Sequence, residues 1–241
     1  MNLKPGTTVQ ELATEIPGAT RVFEKAGIDY CCGGKRPLAD ACATAGVTLE
    51  EMMNSLEQAA TSYDPGNQLN FVDMTLAKLI EHVVQKHHVF TRDELLRLHF
   101  LIEKVHGVHG VNHPELERIR NAFNTLSAEL EPHMMKEEMV LFPYIRAMED
   151  SVRDGNRFGP PPFGTVANPV LMMTMEHEAA GVLLQQIRDA SSNYEVPADA
   201  CISFRTLYEA LEALEKDLHQ HIHLENNILF PRAVEMEQEV R

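Results

Sequence analysis

Two stretches of the chain, Pro132–Glu149 (PHMMKEEMVLFPYIRAME) and Gln220–Glu237 (QHIHLENNILFPRAVEME), repeat one pattern: a His, a Glu four residues on, and Leu-Phe-Pro starting four residues after the Glu. On a helix, residues four apart lie on one face, one turn from each other. His133 and Glu137 therefore point the same way, as do His221 and Glu225. The apolar stripe of the first copy runs Leu126, Leu130, His133, Glu137, Leu141, and that of the second runs Leu214, Leu218, His221, Glu225, Leu229. Both polar pairs thus interrupt a stripe that faces a helical core. An unpaired carboxylate is costly to bury, and a cation in the core is the simplest compensation. Two hydrogen-bonded His/Glu pairs are the alternative.

The same geometry sorts the other histidines, of which the chain has 12, with no Trp. His219, His221 and His223 are spaced by two, about 200° around a helix. The stripe selects His221 and leaves His219 and His223 to solvent. In a first long helix over about 73–108, with a bend near 90–95, Ala77, Val84, His88 and Leu95 share a face. His87 points about 100° away, and His99 and His106 lie about 16 Å and 27 Å further along. In a third helix, 168–190, Val170, His177 and Leu184 share a face, with Gly181 leaving space beside them. Four imidazoles and two carboxylates then converge. Two cations fit this set, each with two His and both carboxylates bridging, about 3.5–4 Å apart. Imidazole and carboxylate without thiolate suit iron, and less exclusively manganese or zinc. Ferritin-like sites use Glu-x-x-His with spacing three, so the order and spacing here point elsewhere.

The other long helices are expected at 114–149 and 197–238, giving an all-α chain with a four-helix bundle. Pro143 and Pro231 each remove a helix hydrogen bond and are expected to bend the helix end. The Met-rich Leu171–His177 (LMMTMEH) reads as core filler, and the Gly- and Pro-rich 151–168 as a loop. Ahead of the bundle, residues 1–62 form a small helical unit. Pro17 and Pro37 suit helix starts, Gly27 and Gly46 helix stops, and Thr48 with Glu51 makes a capping box. Residues 63–70 are a turn-rich linker, and 71–241 carry the bundle. The net charge of −15, from 36 acidic against 21 basic residues, argues against nucleic acid and anionic membrane as partners. No apolar run is long enough to span a bilayer, no signal peptide is evident, and four cysteines do not make a secreted disulfide framework. The expected location is the cytoplasm.

The stretch GIDYCCGGKRPL (Gly27–Leu38) puts Cys31 and Cys32 between a helix stop and a helix start. Lys35, Arg36 and a helix N-terminus are expected to favour thiolate. The pair reads as a redox couple, a soft-metal ligand or a mixed-disulfide site, against two small buried hydrophobes. Cys42 and Cys201 are expected in the core.

DYCCGGK in a short N-terminal unit, followed by a bundle with HMMKEE…LFP and HIHLENN…LFPRA, resembles the di-iron proteins that repair iron–sulfur clusters, the repair-of-iron-centres family. The resemblance covers nearly the whole chain. It implies a hemerythrin-like bundle and a cytoplasmic stress protein with two non-haem irons, oxo-bridged. It also implies restoration of clusters damaged by oxidants or nitric oxide. The partners implied are proteins with damaged clusters, or cluster scaffolds, with a homodimer left open. The family's ligands carry over onto His88, His133, Glu137, His177, His221 and Glu225. Glu176 resembles a family carboxylate close to the site, and His106 also has a counterpart. Cys31 and Cys32 would serve as a docking or redox element. Two departures, RDELLRL where relatives often have Pro for a Leu, and a longer 151–168 loop, bear on the bundle's shape. The leading expectation is iron supply to damaged clusters. A nitric oxide-reducing or nitric oxide-transferring enzyme is the alternative, as is an oxygen-binding or sensing module. Oxygen carriers bring a fifth His to the core, and none is apparent at that depth.

Overall fold

The computed structural model describes residues 6–61, 70–156, 158–159 and 161–240, and they are all-helical apart from one isolated bridge between Thr8 and Pro37. The linker read at 63–70 lies outside the described residues except for Asn70. Four short helices come first: α1 (Val9–Glu15), α2 (Ala19–Ala26), α3 (Leu38–Ala45) and α4 (Leu49–Thr61). Thr8 and Glu11 cap α1 reciprocally, and Thr48 and Glu51 do the same at α4. Gly27 and Gly46 end α2 and α3 at φ +67° and +70°, a conformation that L side chains resist. Pro17 lies just outside α2, whose N-cap is Gly18. Val9, Leu12, Phe23, Leu38 and Leu56 close a small core that also takes in Ile222 of the bundle.

Four rods make the bundle. The first is α5 (Leu76–His82), a π-helical turn (Val83–His88) and α6 (Val89–His109). The second is α7 (Glu115–Lys136), a π-helical turn (Glu137–Leu141) and α8 (Phe142–Arg153). The third is α9 (Ala167–Ala190), and the fourth is α10 (Ile202–Leu224), a π-helical turn (Glu225–Leu229) and α11 (Phe230–Val240). The fourth rod starts later than the expected 197. The Glu149 carboxylate, near the end of the second rod, accepts from the Leu76 and Ala77 amides (2.7 and 2.8 Å) and so caps the start of the first.

Wide π turns are rare and concentrate at functional sites. Here three of them fall on His88, Glu137 and Glu225. In each repeat the amide after the turn, of Phe142 or Phe230, reaches back five residues to the carbonyl of Glu137 or Glu225. Returning to the α register skips a carbonyl, and a proline, having no N–H to place there, suits that junction. Pro143 and Pro231 therefore sit inside continuous rods rather than bending their ends. The first rod's irregularity is likewise its π turn at Val83–His88, ahead of the bend expected near 90–95.

Two apolar clusters fill the bundle. One includes Leu98, Phe123, Leu126, Leu184, Leu214 and Leu218. The other includes Leu79, Leu141, Met148, Leu229 and Phe230. The repeated His/Glu pairs lie at the waist between them. Three expectations about burial fail. Leu171, Met172 and Met175 are exposed, and only Met173 of that methionine run is buried. Cys201 is exposed and faces His109 (3.2 Å), at the start of α10 rather than in the core. His223 is buried, because the N-terminal unit covers the side of α10 opposite the bundle core. Its ring meets Tyr30 edge-on at 5.4 Å, and its Nδ1 lies 2.7 Å from the Asn227 amide.

Candidate metal centre

Each rod delivers one imidazole to the waist, and the two repeat-bearing rods each add a carboxylate. His88, Glu137, His221 and Glu225 form one group with all donor atoms within 4.8 Å of one another. His133, Glu137, His177 and Glu225 form a second. All six side chains are buried. Both carboxylates belong to both groups, and their oxygens divide between them. Glu137 turns Oε2 to His88 (3.4 Å) and Oε1 to His133 (3.5 Å). Glu225 turns Oε1 to His221 (3.1 Å) and Oε2 to His177 (3.2 Å). Carboxylates shared in this way could bridge two cations.

The donor set fits a pair of cations. None of the four oxygens of Glu137 and Glu225 has a well-formed hydrogen bond, since the neighbouring imidazole nitrogens face one another instead. His88 and His221 bring Nε2 atoms to 3.1 Å, and His133 and His177 to 3.0 Å. Adjacent donors on an octahedral cation at about 2.1 Å stand roughly 3.0 Å apart, against roughly 3.4 Å on a tetrahedral one. Each imidazole pair is thus spaced as two neighbouring ligands of one cation. Without a cation the carboxylates are under strain. Burial and the Glu225 charge push Glu137 up to about 7. Burial pulls Glu225 upward too, but the nearby His221 and His177 imidazoles outweigh it and hold it well below the usual range. Burial opposes ionisation of His177, yet the adjacent Glu225 carboxylate raises it to about 9.

Outer partners set the rings. His88 Nδ1 meets Glu138 (2.6 Å), which Arg92 also holds (2.8 Å). His177 Nδ1 meets the Asn226 amide oxygen (2.9 Å). Glu138 and Asn226 each follow the bridging Glu of their repeat, so aligning the two copies would have found them. His133 Nδ1 meets Glu176 (2.8 Å), which also pairs with Lys136. Glu176 thus lies behind a ring rather than among the donor groups. His221 Nδ1 has no such partner. Such contacts fix the tautomer and orientation of metal-binding imidazoles. His87 is buried as well and stacks on His221 at 5.7 Å, but its Nδ1 goes to Asp217 (3.0 Å), outside both donor groups.

Cys31 and Cys32 reach the bundle. The Cys32 thiol lies 3.4 Å from the main-chain carbonyl of His177. A Cβ on Gly181 would stand 3.4 Å from the same sulfur, so the glycine leaves room for the cysteine and not for a ligand of the centre. The expected lowering of the thiol fails at Cys31. Its contact with Cys32, its burial and the Asp29 carboxylate all raise it. Asp29, unmarked in the sequence, organises this turn: Oδ1 accepts from the Cys31 and Cys32 amides (2.9 Å each) and Oδ2 from Gly33 (2.8 Å).

A four-helix bundle with two overlapping His/Glu groups at its waist defines a cation-binding helical protein. Comparison with known proteins narrows the class. A model described as the hemerythrin HHE cation binding domain matches residues 79–233. A second, ScdA_N, described as a domain of unknown function, matches residues 5–60. The chain is 35% identical over 226 residues to a probable iron-sulfur cluster repair protein of Haemophilus influenzae, covering 94% of this chain and 96% of the relative. It is 34% identical over 224 residues to iron-sulfur cluster repair protein YtfE of Citrobacter koseri (93% and 94%) and of Pectobacterium carotovorum (93% and 95%). The chain belongs to this family of iron–sulfur cluster repair proteins.

Proposed function

We propose that the chain holds two iron ions and repairs iron–sulfur clusters damaged by oxidative or nitrosative stress by supplying iron. One ion would sit with His88 and His221 and the other with His133 and His177, with Glu137 and Glu225 bridging both and an oxo group completing the oxidised pair. The observation that carries this reading is the sharing of both carboxylates between the two donor groups. Bound iron would supply a cation whose hold on hard carboxylate ligands weakens on reduction.

The chain's own residues supply the rest. Two carboxylates and four neutral imidazoles give a donor charge of −2, so the pair is not over-neutralised and an ion can leave. Glu138, Glu176 and Asn226 hold three of the rings from behind, keeping the donors aimed when an ion departs. The Leu, Phe and Met side chains on either side exclude water, which strengthens the electrostatic hold on whatever remains. In this reading, residues 1–62 are a Cys–Cys unit, 63–70 a linker and 71–241 the di-iron bundle. Cys31 and Cys32 dock or relay at the junction. The partners are proteins with damaged clusters or cluster scaffolds, in the cytoplasm. The acidic surface argues against nucleic acid and membrane, and no helix among the described residues is long and apolar enough to cross a bilayer.

Iron-loaded protein mixed with a hydratase whose [4Fe–4S] cluster has been oxidatively damaged should lose iron as the hydratase regains activity. Retained iron with no recovery would remove the proposal.

A further inference from the structure

Outside the waist, one other cluster of donors stands together among the described residues: Asp29, Cys31 and Cys32, whose ligand atoms lie within 4.8 Å of one another. We propose that these three residues form a third cation site, built for a divalent ion that favours thiolate, such as zinc or ferrous iron. It would stand against the helix that carries His177.

The sulfur spacing argues for this. The two Sγ atoms stand 3.7 Å apart. A disulfide needs about 2.05 Å, so the pair is not poised as a bond. Two thiolates on one tetrahedral cation with metal–sulfur bonds of about 2.3 Å stand roughly 3.8 Å apart, which is the spacing found. The third donor is in place, with Asp29 Oδ1 at 3.2 Å from Cys31 Sγ. Asp29 is also fixed, because the amides of Cys31, Cys32 and Gly33 all bond its carboxylate and hold the turn around it. The turn is pinned to the bundle from the other side by Cys32 on the His177 carbonyl and by Asn227, whose amide donates to the Tyr30 carbonyl (3.0 Å). Asp29 is exposed and Cys31 buried, so an ion entering from solvent meets the carboxylate first and the thiols behind it. Binding replaces the two S–H protons, which leave to water. Two thiolates and a carboxylate then hold a 2+ ion with a net charge of −1. The site differs in kind from the centre at the waist: sulfur-rich rather than imidazole-rich, and open on one side.

The test is a cobalt titration of the full-length, iron-loaded protein, in which the waist is already filled. One further equivalent of Co2+ should bind per chain, with the near-ultraviolet charge-transfer band of thiolate-bound cobalt. Cys31→Ser and Cys32→Ser should each abolish the band while iron content and helical circular dichroism stay as in the parent. Cys32, partly exposed, keeps the test decisive if the buried Cys31 variant folds poorly. Cys201→Ser, which removes the exposed thiol beside His109, should leave the band intact. Asp29→Asn, which keeps one oxygen for the Cys31 and Cys32 amides but loses the Gly33 acceptor and the charge, should weaken binding about tenfold. Absence of a thiolate band, or a band that survives Cys32→Ser and vanishes with Cys201→Ser, would overturn the site.

Discussion

Replacing Glu137 by Gln should make the metal-free protein gain stability relative to the parent as pH rises, and the size of that gain follows from the burial of one carboxyl group. Glu137 is fully enclosed, and burial together with the Glu225 charge raises it from 4.5 to about 7. Between those two values the folded chain binds a proton that the unfolded chain has released. Stability of the parent therefore falls as pH climbs through this window and levels off above it. At about 1.36 kcal/mol per pH unit, the loss between pH 5 and pH 8 integrates to about 2–3 kcal/mol. The Gln side chain has the same shape and does not titrate, so whatever its amide costs in that cavity is the same at both pH values and cancels in the difference. His177 is raised mainly by Glu225 and only secondarily by the Glu137 charge, so most of its titration is common to both chains. Urea denaturation of chelator-treated parent and Glu137→Gln protein at pH 5, 6, 7 and 8 measures the effect. The stability of the variant minus that of the parent should grow by about 2–3 kcal/mol from pH 5 to pH 8. In iron-loaded parent, where the carboxylate is engaged, the dependence should vanish. A pH-independent gap in the metal-free proteins, or one that narrows with rising pH, would show that Glu137 is not a buried carboxylate waiting for a cation.

Four further outcomes are expected. Glu138→Ala, which strips the carboxylate behind His88, should weaken iron binding about 10–100-fold in chelator competition without changing the fold seen by circular dichroism. Because His221 alone of the four rings has no partner on Nδ1, iron removal from the parent by chelator should proceed in two separable phases, and a single phase would contradict the asymmetry. Arg188→Ala leaves the buried Glu215 without its two-point partner (3.0 and 2.5 Å), and should cost about 3 kcal/mol in denaturant unfolding. Glu149→Ala removes the cap on the Leu76 and Ala77 amides and should cost about 1–2 kcal/mol, read from the same curves.

What the sequence discloses here is whatever one helix can encode by itself. His133, Glu137, His221 and Glu225 are legible because a repeated four-residue spacing inside an apolar stripe has one sensible direction, inward. His88 and His177 follow from the same stripe logic on the other two rods. Two of the failures share a cause: they concern the far side of a helix, where the answer depends on what else packs there. His223 is buried by Tyr30 of the N-terminal unit, which periodicity along α10 cannot reveal. Met172 and Met175 read as core by composition, yet α9 turns them outward because its inward face is already taken by Met173, His177 and Leu184. The π turns are hidden for another reason. They insert no special residue and are marked only by a proline that also suits a helix end. Yet they explain why the repeat extends to Leu-Phe-Pro at all. A His/Glu pair alone would need five residues of α-helix. Closing a widened turn immediately after the glutamate, and recovering the α register so that Phe142 and Phe230 still cover the site, takes the next six. The repeated unit is therefore the length of the ligand pair plus the backbone irregularity that follows it, and the proline belongs to the metal centre's architecture although it touches no donor.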